Sequence, residues 1–153
     1  MNIAVTEHFR CPIDTLFSYI AEPEKQKLWM KGLLLNESTS PGKEGVGSTF
    51  RMVIQEGRKA AEYQGEVTAY ERPRRLEVRI RGGNLPKGLT MRGDYRLSEE
   101  AGGTRLDHVA ACEGEVGFFL RLLMGLFKIF GRMQMRSFMR TLRRLVEAPA
   151  QAA

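Results

Sequence analysis

The chain has 153 residues, 42% of them hydrophobic and 27% charged, with a formal net charge of +6. That length suits one domain with a buried core and is short for two, while the balance of apolar and charged residues excludes a wholly disordered or fibrous chain. The positive charge admits an anionic partner such as nucleic acid, a membrane surface or an acidic ligand, without by itself establishing one.

The opening stretch, MNIAVTEHFRCP, alternates Ile3, Val5 and Phe9 in one phase, as a half-buried strand does, with Glu7 as the polar exception in that phase. A buried carboxylate there needs a raised pKa, a basic partner such as an arginine, or a place at the strand end. The stretch lacks the basic start and apolar run of a secretory leader, so the expected compartment is the cytoplasm. At Pro12 the period changes: Ile13, Leu16, Phe17 and Ile20 recur at helical spacing, and AEPEKQKLWM opens a second short helix ending near Trp29. Cys11 and Cys112 stand far apart with no CxxC pair, which suits small buried fillers better than redox or metal chemistry.

After Gly32 the chain reads as strands. GLLLNEST comes first, then GVGSTFRMVIQEG with Phe50, Met52 and Ile54 in one phase. Tyr63, Gly65, Val67 and Ala69 share a phase in the next segment, followed by Leu76, Val78 and Ile80, then Leu89, Met91, Gly93, Tyr95 and Leu97. EEAGG is a turn into TRLDHVAACEG, whose inward phase holds Leu106, His108, Ala110 and Cys112. From Val116 to Ala148 no proline interrupts a helical pattern. Strand, two short helices, about six antiparallel strands and a long helix make an α+β architecture.

This order, with the phrase CPIDTLFSYIAEPEKQKLWM, the block GVGSTFRMVIQEG, the pair YERPRRLEV and the turn GGTRLDH before the long helix, resembles the START-like helix-grip superfamily, most closely its polyketide cyclase/dehydrase and lipid-transport type. The resemblance implies a curved antiparallel sheet of about seven strands wrapped round the C-terminal helix. It spans roughly residues 2 to 147, so a single bacterial-type domain over residues 1–148 is expected, and PAQAA after the helical pattern makes 149–153 a frayed tail. An apolar cavity between sheet and helix is implied too, and with it the binding or transport of a hydrophobic or aromatic small molecule. Some members cyclise or dehydrate polyketides and others carry lipids, so an enzyme, a carrier and an interaction module with a filled core all stay open.

Under that resemblance the candidate ligand-binding residues are Trp29, Phe50, Met52, Tyr63, Val67, Val78, Met91, Tyr95 and His108, with Phe119, Leu123 and Phe127 from the helix. His108 is the candidate general acid or base, because imidazole titrates near neutral pH, and a lone core histidine is its plainer reading. Tyr63 and Tyr95 would orient a ligand or simply pack, and Trp29 would close a cavity mouth or pin its helix to the sheet. No metal-ligand cluster, nucleophile elbow or phosphate loop occurs, so no metal and no cofactor is expected. Nucleic acid is disfavoured, since no known reading motif is present.

On a wheel of about 100° per residue, Arg121, Lys128, Arg132, Arg136 and Arg143 make one basic stripe, expected at the surface, and Leu120, Leu123, Phe127, Phe138, Leu142 and Leu145 the core side. Phe118, Leu122, Leu126, Ile129 and Met133 form a further apolar flank. Three burials suit that flank: a cavity wall, a partner subunit in a homodimer, or peripheral contact with an anionic membrane.

Overall fold

The computed structural model describes residues 2–147, without the side chains of Leu126 and Phe127. The expected frayed tail, 149–153, lies outside the described residues, as does Ala148. The elements are β1 (Asn2–Phe9), α1 (Ile13–Ala21), α2 (Pro23–Trp29), β2 (Leu33–Ser38), β3 (Thr49–Glu56), β4 (Lys59–Glu71), β5 (Arg75–Gly82), β6 (Thr90–Glu100), β7 (Gly103–Glu113) and α3 (Phe118–Glu147). This is the helix-grip order expected from the sequence.

All seven strands form one antiparallel sheet in the order β1-β7-β6-β5-β4-β3-β2. The last strand of the sequence thus lies between the first strand and the meander, so that Val5 faces His108 and His108 faces Tyr95 across successive ladders. One sheet face is apolar. The other is charged and internally paired: Arg92 bonds Glu113 at 2.7 Å, Arg79 bonds Glu113 at 2.8 Å and Arg75 bonds Asp94 at 3.2 Å. The hydrogen bond from Arg92 is the main reason the Glu113 carboxyl sits below the usual carboxylate range.

Helix α1 begins after Pro12, whose extended backbone forms the N-cap, and buries Ile13, Leu16, Phe17 and Ile20. Glu22 ends α1 and caps α2, and Pro23 starts α2 where no backbone donor is needed. These helices pack with Phe9, Leu76, Leu97 and Leu106 of the sheet, and with Met139 and Leu142 of α3, into the main core. Removing such side chains from water contributes about 2 kcal/mol each.

In its second half α3 packs on the expected side, with Leu142 buried and Phe138 and Leu145 against the core, and the orientation departs from the expected wheel in the first half. Met135 and Met139 are buried as well, and Phe138 meets Trp29 edge-on with ring centroids 6.2 Å apart. A Cβ on Gly131 would stand 2.8 Å from Ile3 Cδ1, so glycine there lets the helix approach β1 closely. Because the helix is continuous, these contacts fix its rotation for the first half as well. The flank of Phe118, Leu122, Ile129 and Met133 is therefore turned outward, and Leu123, expected on the core side, is 49% exposed. Arg143, placed on the exposed stripe by the wheel, is half-buried and pairs with Glu7 at 2.6 Å. That pairing resolves how Glu7 fits the apolar phase of β1.

Candidate functional site

A cleft of about 630 Å³ opens between the α1–α2 corner and strands β2 to β6. Ile20, Met30, Phe50, Met52, Val67, Leu76, Val78, Ile80 and Tyr95 supply its apolar wall. The strand phases put them there: Met52 faces Tyr63, Phe50 faces Gly65, Val67 faces Val78 and Leu76 faces Tyr95, so one face of four neighbouring strands lines the space. Gly65 is small for a reason, since a Cβ there would collide with the Phe50 ring. Exposed Glu22, Pro23, Lys43, Glu44 and Arg72 form the rim. Gln26 and Asn36 add buried or half-buried amides.

Of the residues expected from sequence, Phe50, Met52, Val67, Val78 and Tyr95 line this cleft. The others lie elsewhere. Trp29 is buried, donates its indole N–H to the Tyr19 carbonyl at 2.8 Å and packs on Phe138, which pins α2 to α3. Tyr63 belongs to a smaller cluster with Leu33 and Met52, and its hydroxyl donates to Glu56 and accepts from the Asn84 backbone N–H at 3.3 Å. Burial first, and the hydrogen bond to Glu56 second, raise that phenol's pKa. Met91 is exposed beside β7, and Phe119 on α3 is 83% exposed. The Phe127 side chain falls outside those described.

His108 is 7% exposed and lies behind Tyr95, the two rings stacked 4.0 Å apart at 12°. Burial pushes its pKa down to about 4, against a smaller opposing pull from Asp94, so the imidazole is neutral at pH 7. Its Nδ1 has no hydrogen-bond partner among the described residues. Burial alone pushes the Tyr95 phenol up to about 12. The pair presents the cleft with the Tyr95 ring rather than the imidazole.

Sequence reasoning missed Ile20, Gln26, Met30, Asn36, Leu76 and Ile80 as lining residues. Leu76 and Ile80 were readable from strand phase. Asn36 was not, because a bulge between Leu33 and Leu35 shifts β2 and brings the asparagine to the inner face opposite Met52. Tyr70 enters the lining for the same reason, after a register shift between Val67 and Ala69.

Among the described residues no group of three or more His, Cys, Asp or Glu stands close enough to hold a metal ion, and no helix is long and apolar enough to cross a membrane. The family described as polyketide cyclase/dehydrase and lipid transport matches residues 1–147. Among solved structures, TTHA0849 from Thermus thermophilus is similar at 18% identity with a TM-score of 0.76, covering 99% of this chain and 100% of that one. MLL2253 from Mesorhizobium loti is similar at 19% identity and 0.71, covering 97% and 98%. Ara h 8.0201 is similar at 12% identity and 0.72, covering 97% and 99%. At these identities the likenesses show the fold alone. No curated protein matches the chain in sequence.

Proposed function

The chain belongs to the polyketide cyclase/dehydrase and lipid-transport family, and on that premise we propose that it binds a hydrophobic small molecule in the cleft between the α1–α2 corner and strands β2 to β6. The carrying observation is the cleft itself: about 630 Å³, walled by aliphatic, methionine and aromatic side chains, within the size range of small-molecule sites. Binding and transport are favoured over proton-transfer chemistry because burial leaves His108 a weak base and the Tyr95 ring stands between it and the cleft. Titration with N-phenyl-1-naphthylamine tests this reading. Native protein should give saturable, enhanced fluorescence, and Val78→Phe, which fills the cleft, should weaken it about tenfold or more. Equal affinity in both proteins overturns the reading.

We also infer that α3 seats the protein on an anionic bilayer, where such a ligand would be exchanged. Phe118, Phe119, Leu122, Leu123, Ile129, Phe130 and Met133 are all exposed on one outward arc, about 23 Å long at the helical rise. Scattered exposed apolar residues need no explanation, but a contiguous patch does. Between Phe118 and Val146 the helix has seven basic side chains and no acidic one. Among the described residues Arg121, Arg132, Arg136 and Arg140 form no ion pair. A second copy of the chain would set like charges side by side, whereas anionic lipid complements them. Flotation with phosphatidylcholine vesicles, with and without phosphatidylglycerol, reads this directly. Native protein should float only with the anionic vesicles, and Leu122→Ser/Phe130→Ser should remain in the dense fraction. No flotation of the native protein, or an arc variant whose only effect is to split a dimer, overturns it.

A further inference from the structure

Asn36 is the polar residue that the apolar wall of the cleft does not explain. It stands opposite Met52 in the β2–β3 register, lines the cleft and is only 9% exposed. A chain of bonds fixes which way its amide faces. Gln26 Nε2 donates to the Ile20 carbonyl at 2.6 Å, which turns Gln26 Oε1 toward Asn36, and Asn36 Nδ2 donates to that oxygen at 2.5 Å. Exchanging the nitrogen and oxygen of Asn36 would set two oxygens against each other. The remaining atom, Asn36 Oδ1, is buried and has no hydrogen-bond partner among the described residues. Buried acceptors are rarely left so, because the lost hydration is not returned.

Resting on the reading of the cleft as a hydrophobic ligand site, we propose that Asn36 Oδ1 is its specificity determinant and selects apolar ligands bearing a neutral hydrogen-bond donor, such as an alcohol, a phenol or an amide N–H. Oδ1 itself has almost no surface open to the cleft, so the donor reaches it through a small turn of the Asn36 side chain and so completes the chain running from the Ile20 carbonyl through Gln26 to Asn36. A carboxylate at the same depth meets a carbonyl oxygen and is repelled. The cations of the lining, Lys43 and Arg72, are exposed at the rim, away from that depth. The ligand class is thus a neutral, largely apolar molecule with one donor group, and its apolar part lies over Met52 and Val78.

The test compares 2-naphthol with 2-methoxynaphthalene, which have similar shapes but differ in the donor. Native protein should prefer 2-naphthol, and Asn36→Leu should reduce that preference about tenfold, the effect of one hydrogen bond to a buried acceptor, while 2-methoxynaphthalene still binds. An unchanged preference with both probes bound overturns the role of Asn36 and leaves the cleft reading standing. Binding of neither probe to native protein overturns both. In native protein, the NMR signals of the Asn36 side-chain amide should also shift clearly further with 2-naphthol than with 2-methoxynaphthalene, whose ring current alone acts on them. This second measurement decides the matter if Asn36→Leu fails to fold, and equal responses to the two probes count against the proposal.

Discussion

His108 makes stability depend on pH in a way that can be calculated from its surroundings. In the folded chain, burial holds its pKa at about 4, and in the unfolded chain it returns to about 6.5. Between those values the unfolded state takes up a proton that the folded state refuses, so stability is fully present above about pH 6.5 and falls as pH drops toward 4. The linkage relation gives a loss of about 2 kcal/mol on going from pH 7.5 to pH 5, rising to about 3 kcal/mol near pH 4. His108→Phe keeps a ring stacked on Tyr95 and removes the titration. Urea unfolding of both proteins at about pH 7.5 and pH 5 isolates the histidine, because the carboxylates held low, Asp107 and Glu113, are common to both. The native protein should lose about 2 kcal/mol more than the variant over that interval. Equal losses would refute the claim that His108 is buried and neutral.

Leu142 is fully buried where α3 meets the core, so Leu142→Ala should destabilise the protein by about 2–5 kcal/mol in urea unfolding; a change under half a kcal/mol would contradict the packing described for α3. Gly65→Ala places a methyl group against the Phe50 ring, and should lower both stability, by about 1–3 kcal/mol, and affinity for N-phenyl-1-naphthylamine. Unchanged values for both would mean that Phe50 does not occupy the cleft wall as described. Burial raises the Cys11 thiol to about 11, so native protein near pH 8 should expose that residue to thiol reagents only slowly, while denatured protein reacts at once; rapid native labelling at Cys11 would contradict its place in the core.

The sheet was legible because alternation survives wherever strands are regular: Leu76, Val78 and Ile80 in β5 and Tyr95 in β6 face inward as their phase requires. The change of period at Pro12 likewise marked α1 and α2. Bulges defeated the same reasoning in β2 and β4, since one extra residue moves every later side chain to the other face, and this hid Asn36 and Tyr70. The rotation of α3 was hidden for a different reason. Its first half is apolar over most of its circumference, so no wheel drawn from Phe118 to Met133 distinguishes an inner from an outer side. The decision is made further along, where Met135, Met139 and Leu142 enter the core, and the oily segment is carried round with them. The cleft's wall therefore comes from α1, α2 and the sheet, and Phe119 and Leu123 stand outside it.

The most direct test of the ligand-binding account is a crystal structure of the protein with N-phenyl-1-naphthylamine bound. The probe should lie between α2 and the sheet, against Met52, Val67 and Val78. A probe seated instead along Phe118 to Met133 of α3, with the cleft filled by shifted side chains, would contradict it.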